Sequence, residues 1–326
     1  MRQFSYERVD KVAEAVAAGA RGATFLGGGT NLVDLMKLGV ATPGELVDVR
    51  RLPLSGVRLT GGDLGIGATT TNSDAAAHPE IRRRFPALTQ AILAGASGQI
   101  RNMATIGGNL LQRNRCGYFT DLSQPCNKRA PGGGCPAREG VHHNHAILGA
   151  SEHCVATHAS DMAVALTAFD AVVRYRTPAG LSEVPLVDFY PPVGDTPQRE
   201  TVLPPGALIT EIHLPALPVA RNSRYRKVRE RASYAFATVS VAAALDVHRG
   251  QVRDVRLALG GVASRPWRAL AAETVLRGGP ATPDRFRLAA QAELAAATPL
   301  AHNGYKVTLA RNLIQAVLTD LARSAA

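Results

Sequence analysis

Residues 113 to 153 show neither the 3.6-residue period of an amphipathic helix nor the alternation of a strand. The stretch is rich in Gly, Pro, Arg and His. A loop this long inside a compact domain needs a reason to hold one shape, and such loops are usually functional. Its cysteines supply a reason. Cys116, Cys126, Cys135 and Cys154 are the only four cysteines in 326 residues. Thiols scattered through a core do not cluster in this way. Two disulfides are one alternative, but the first residues, Met1 to Tyr6, lack the basic and apolar regions of a signal peptide. Disulfides belong mainly to exported chains, so ligation of a metal or cluster is the favoured reading.

The spacing of the thiols narrows the ligand. Nine, eight and eighteen residues separate them, so the paired CxxC knuckles of common zinc sites are absent. Gly and Pro flank the sulfurs, as in Pro125-Cys126 and Gly132-Gly133-Gly134-Cys135-Pro136. Such turns let backbone amides point at sulfur and offset the charge of an iron–sulfur cluster. Four thiolates suit one [4Fe–4S] cluster, and zinc stays open on spacing alone. His142, His143, His145 and His153 lie nearby and are not assigned as ligands.

Two glycine turns come next: Gly27-Gly28-Gly29-Thr30-Asn31 after a short apolar run, and Thr105-Ile106-Gly107-Gly108-Asn109. Amides in such turns can cradle a pyrophosphate because no Cβ stands in the way. Neither matches GxGxxG or the P-loop pattern, and no GxSxG elbow or HExxH helix exists. Two turns in one domain can clamp both phosphates of a dinucleotide. No catalytic residue is assigned.

Around these motifs the periodicity predicts helices over 9–18, closed by Gly19, and over 32–38, 74–78, 88–96 and 161–169. It predicts a strand at 23–26, hairpins at 57–68 and 172–187, and a strand at 209–214. Segment 215–222 reads as a linker. Beyond it, strands at 237–247 and 252–259 pair across Arg249-Gly250, and helices follow at about 267–277, 283–297 and 304–322. The domains expected are therefore residues 1–218, subdivided at about 55, and 221–326. With a net charge of +11, an anionic cofactor or docking partner is expected. The basic residues form no tail and no aromatic stacking set, which argues against nucleic acid. No apolar run approaches the roughly 18 residues of a membrane span, so no membrane insertion is expected.

Three ordered motifs carry a family resemblance across essentially the whole chain. Leu26-Gly27-Gly28-Gly29-Thr30-Asn31-Leu32, Gly65-Ile66-Gly67-Ala68-Thr69-Thr70 and Thr105-Ile106-Gly107-Gly108-Asn109-Leu110 resemble the FAD-binding medium subunit of molybdenum hydroxylases, the xanthine dehydrogenase and carbon monoxide dehydrogenase flavoprotein family. Ser160-Asp161-Met162 and Lys227 match further elements. Arg115-Cys116-Gly117-Tyr118-Phe119, Pro125-Cys126, Gly134-Cys135 and Ser151-Glu152-His153-Cys154 resemble the branch that serves periplasmic aldehyde oxidoreductase. One departure is Tyr234, where many relatives carry an acid.

The resemblance implies an α+β chain: a two-part FAD-binding domain of the vanillyl-alcohol-oxidase-like (PCMH) type, then a smaller α+β C-terminal domain. It implies FAD held by Leu26 to Leu32, with the amides of Gly27, Gly28 and Gly29 and the side chains of Thr30 and Asn31 on the pyrophosphate. Thr105, Gly108 and Asn109 would bind from the other side. Ala68 and Thr69 would line the cofactor, and Leu111 would lie near the isoalloxazine. Asp161 would bond a hydroxyl of FAD or serve as a helix N-terminal acid. Lys227 would stabilise the reduced flavin or be a surface lysine on an edge strand. Cys116, Cys126, Cys135 and Cys154 would hold one [4Fe–4S] cluster. The implied partners are a large molybdenum-cofactor subunit that oxidises aldehyde, a small [2Fe–2S] subunit, and an external electron acceptor. The complex would be periplasmic by co-export with a signal-bearing partner, or else cytoplasmic. The competing readings are a flavin subunit of a xanthine dehydrogenase-type hydroxylase with another substrate, a free-standing FAD oxidase and a zinc-containing binding protein.

Overall fold

The computed structural model describes residues 1–325 and contains three sheets, each drawn from a contiguous part of the chain. The first comprises β1 (Ser5–Arg8), β2 (Thr24–Leu26) and β3 (Glu45–Asp48), all parallel in the order β1-β3-β2. Parallel neighbours need crossovers. The helix Val12–Ala20 connects β1 to β2, and the helix Leu32–Lys37 lies between β2 and β3. At the centre, Asp48 is fully buried and takes the Tyr6 hydroxyl at 2.7 Å and the Arg50 guanidinium at 2.7 Å. These donors outweigh burial and hold its carboxyl well below the usual range.

The second sheet is antiparallel, in the order β4-β5-β8-β6-β7: β4 (Val57–Thr60), β5 (Asp63–Gly67), β6 (Val172–Thr177), β7 (Gly180–Pro185) and β8 (Leu208–Leu214). The third is also antiparallel, β12-β11-β10-β9: β9 (Ser223–Val228), β10 (Val239–His248), β11 (Gln251–Gly260) and β12 (Trp267–Arg268). Strand β10 is apolar on both sides for a geometric reason. Successive side chains alternate faces, and both faces are covered. Val239, Val241, Ala243 and Leu245 pack on the helices Leu270–Leu276, Pro283–Leu294 and Tyr305–Ala325. Ala242 and Ala244 face the core around the helix Asp161–Ala168.

Several expectations shift. Gly19 does not close the first helix. It lies inside it, and its missing Cβ admits the backbone of Gly206 and the ring of Phe25. The chain turns at Gly22 instead, with φ +95°. Strands β1 and β3, four residues each, escaped the sequence reading because they pair in parallel with one another across some forty positions. Segment 215–222 is not a loose linker: Val219 and Ala220 are buried in the core. The loop at 113–153 holds only one short helix, Gly117–Thr120, and a single turn at Pro136–Arg138. No helix of the described residues is long and apolar enough to cross a membrane.

Candidate functional site

The two glycine motifs meet. Gly28 lies so close to the carbonyl of Met103 that a Cβ there has no room, and a Cβ on Gly27 would stand 2.9 Å from the Thr105 hydroxyl. Gly29 adopts φ +71°, open to glycine at little cost. The glycines therefore serve backbone-to-backbone packing as well as access for a ligand. The second motif is a helix start rather than a turn. Thr105 caps the helix Ile106–Leu110, its hydroxyl accepting from Gly108 N at 3.2 Å. Gly107 N donates to Ala68 O and Ile106 N to Thr70 O, both at 2.9 Å, so the Gly65–Thr70 motif backs the Thr105–Leu110 one.

A cleft of about 380 Å3 opens beside this junction, within the usual size of a ligand site. Thr30, Asn31, Gly108, Asn109, Asp161 and Lys227 line it, as do Arg115, Tyr234 and Phe236. Leu26, Gly27, Gly28, Gly29, Leu32, Thr105, Ala68 and Thr69 are not on its lining. Leu111 lines a neighbouring cleft of about 310 Å3 with Arg113, Lys128 and Glu200.

The polar groups of the first cleft are partly committed to one another. Asn109 Oδ1 accepts from Ser160 Oγ at 2.6 Å and Gln112 Nε2 at 2.9 Å. Asp161, in the first turn of its helix, accepts from Tyr225 Oη at 2.5 Å and Lys227 Nζ at 2.7 Å. The Lys227 ammonium also donates to Ala94 O at 3.1 Å. Burial and the adjoining Asp161 carboxylate raise the Tyr225 phenol, so it stays a donor. Other groups are left over. Asn31 Nδ2, Asn72 Oδ1 and Arg115 Nε are buried and have no partner. Buried polar atoms are ordinarily satisfied. Two donors and one acceptor orphaned around one cleft fit a ligand as polar as FAD.

All four cysteines line a second, tighter pocket, with Asn127 and His153 beside them, and none is in a disulfide. Burial pushes the Cys116 and Cys135 thiols up, and Cys154 up to about 11. Opposing this, nearby backbone amides pull the thiols down: those of Phe119 and Tyr118 at Cys116, of Val155, Ala137 and Arg138 at Cys135, and of Ala156 at Cys154. His145 Nε2 lies 3.2 Å from Cys116 Sγ. Among the described residues no three His, Cys, Asp or Glu side chains close to the spacing of a single-ion site.

Distant parts of the chain fix this loop. Asn127 Nδ2 donates to His153 O at 2.9 Å, and its Oδ1 accepts from Gly134 N at 2.7 Å. Lys306, fully buried at the start of the last helix, donates to Asn144 O at 3.1 Å, His145 O at 3.0 Å and Gly261 O at 2.5 Å. Asn303 Nδ2 reaches Ala146 O at 3.1 Å. The sequence reading left Lys306 and Asn303 unmentioned, and it quoted Arg115 in a motif without giving it a role. Nothing local marks Lys306 or Asn303.

Residues 2–217 match the family model described as the FAD binding domain in molybdopterin dehydrogenase, and residues 223–321 match the CO dehydrogenase flavoprotein C-terminal domain. The chain belongs to the FAD-binding flavoprotein subunits of the molybdenum hydroxylases, and FAD is its cofactor. The particular relatives are informative. It is 50% identical over 325 residues, 98% of each chain, to the aldehyde oxidoreductase FAD-binding subunit PaoB of Escherichia coli K12. It is 28% identical to the glyceraldehyde dehydrogenase medium chain of Sulfolobus acidocaldarius, covering 83% of this chain and 80% of that one. A solved carbon monoxide dehydrogenase from Hydrogenophaga pseudoflava aligns with TM-score 0.78 at 27% identity, over 100% of this chain and 99% of its own. The expected α+β architecture with an FAD-binding domain and a flavoprotein C-terminal domain is thus found.

Proposed function

We propose that this chain is the flavin and iron–sulfur subunit of an aldehyde-oxidising molybdenum hydroxylase. In this reading it assembles with a large molybdenum-cofactor subunit and a small [2Fe–2S] subunit. It accepts electrons from the small subunit, holds them on FAD and hands them to an external acceptor. The observation that carries the aldehyde assignment is the 50% identity, across 98% of both chains, to an aldehyde oxidoreductase FAD-binding subunit. FAD supplies storage for two electrons. The chain's own residues bind and orient it: Asn31 Nδ2 and Asn72 Oδ1 offer unpartnered groups, and Thr105 holds Gly108 N at the mouth of the clamp.

One [4Fe–4S] cluster on Cys116, Cys126, Cys135 and Cys154 is part of the proposal. Four thiols free of disulfides on one pocket support it. A four-iron cluster is larger than one ion, so its thiolates stand further apart than single-ion ligands do. Thiols held protonated by burial are released to ligate only as the metal displaces their protons. We place the assembled complex in the periplasm, carried there by a signal-bearing partner, and cell fractionation tests that placement.

The decisive measurement is the flavin, iron and zinc content of the purified chain with its absorption spectrum. Flavin bands over a broad iron–sulfur shoulder, with four irons per chain, are expected. Flavin with stoichiometric zinc and no iron would overturn the cluster. Aldehyde turnover by this subunit alone would overturn the division of labour.

A further inference from the structure

We propose that Arg115 is the cation that meets the negative charge FAD brings into the cleft. The inference rests on reading that cleft as the FAD site. Four charged side chains line it: Asp34, Arg115, Asp161 and Lys227. Asp161 and Lys227 neutralise each other at 2.7 Å, with side chains 7% and 4% exposed. The Lys227 ammonium is therefore already matched, although the family resemblance singled it out as the flavin's cation.

Arg115 is in the opposite position. Among the described residues its one ionic neighbour is Asp34, 3.9 Å away, and that carboxylate is 59% exposed, so water screens it. Arg115 itself is only 29% exposed. Of a guanidinium's five N–H donors, none makes a hydrogen bond to the described residues, and Nε is buried without a partner. The group lies 5.0 Å from the centroid of the Phe236 ring. Stacking of that kind covers a flat face and leaves the donor edge free. A planar fork of unused donors at the wall of a ligand cleft suits an anionic oxygen pair, as in a diphosphate. The electron-rich edge of a reduced flavin ring offers the same chemistry. Arg115 also precedes Cys116, so the turn that meets the flavin continues directly into the thiol pocket.

The test uses the full chain with Arg115→Met, Arg115→Gln and Arg115→Lys. Asn109→Ala serves as a check on the cleft, and far-UV circular dichroism checks that each variant folds. Binding of FAD and of ADP is measured by equilibrium dialysis, and the potential of bound flavin by dye-coupled titration. If the fork meets the diphosphate, the Met and Gln variants lose roughly ten- to a hundred-fold in affinity for both FAD and ADP, and Lys recovers part of it. If it meets the reduced ring, ADP binding is unchanged and the two-electron flavin potential falls by about 30 mV for each tenfold of lost preference. Either result supports the assignment. Affinities and potential unchanged in all three variants, while Asn109→Ala sheds FAD, would remove Arg115 and keep the cleft. FAD retained unchanged by Asn109→Ala as well would remove the cleft and the inference together. The Gln variant keeps a polar head on an aliphatic stem, so it carries the comparison if the Met variant fails to fold.

Discussion

Replacing Lys227 by Met should leave Asp161 as a buried carboxylate without its cation. The two side chains are 4% and 7% exposed and 2.7 Å apart, so water cannot take the ammonium's place without local opening. Breaking a buried pair from one side costs about 3–5 kcal/mol. Two groups soften the loss. Tyr225 Oη still donates to Asp161 at 2.5 Å, and Asp161 still lies in the first turn of the helix Asp161–Ala168, where a negative charge is favoured by about 0.3–1 kcal/mol. The expected destabilisation is therefore at the lower end, about 3 kcal/mol. The double variant Asp161→Asn with Lys227→Met removes both charges and keeps an acceptor for Tyr225. It should recover all but about 1 kcal/mol, so the double variant is well above the sum of its singles in the double-mutant cycle. Urea unfolding followed by circular dichroism reads these values. Free FAD must be held constant across the set, because bound ligand adds stability of its own. A Lys227→Met protein as stable as the parent, or a double variant no better than the sum of its singles, would refute the buried pair.

Three further outcomes follow from the same geometry. Gly28→Ala drives a Cβ onto the Met103 carbonyl, so the apo chain should lose about 1–3 kcal/mol and purify with less flavin; an unchanged melting temperature and full flavin content would contradict the packing. Cys126→Ser should remove iron and the broad visible shoulder while the flavin bands persist, because the thiol pocket and the cleft have separate walls; loss of both together would show that they depend on one another. Burial lowers the Lys306 pKa from 10.5 to about 7. The unfolded chain then holds a proton that the folded chain releases between those values. Stability should rise with pH across that window by up to about 1.4 kcal/mol per unit for this one proton. Lys306→Met should flatten that component in denaturation curves taken at several pH values, and an unaltered slope would assign the effect elsewhere.

The parts of the fold legible in the sequence were those with local cause. The hairpin of β4 and β5 announces itself at Gly61-Gly62, whose φ angles are +59° and +99°, and the apolar run of β10 follows from a strand covered on both faces. Strands β1 and β3 were not legible, because their pairing is parallel and depends on residues some forty positions away, as in Ser5↔Glu45. At the site, Thr30, Asn31, Gly108 and Asn109 were found because glycine turns carry their meaning in a few consecutive residues. The pairing of Asp161 with Lys227 spans 66 positions, and only the fold brings it together. The glycines of the first motif were noticed for the room they leave a ligand. At Gly28 that room is already filled by the chain's own backbone.

The scaffold of the thiol loop also has a consequence for biosynthesis. Lys306 grips the carbonyls of Asn144 and Gly261, and the first of these contacts joins positions 162 apart. At roughly 5–20 residues per second, the ribosome adds that length of chain in about 10–30 s. For all but the start of that interval, from the synthesis of Cys154 onwards, the four cysteines exist, but the last helix that braces their loop does not. The loop therefore reaches its final form only after synthesis is nearly complete, and the growing chain carries its four thiols through most of that interval without their brace.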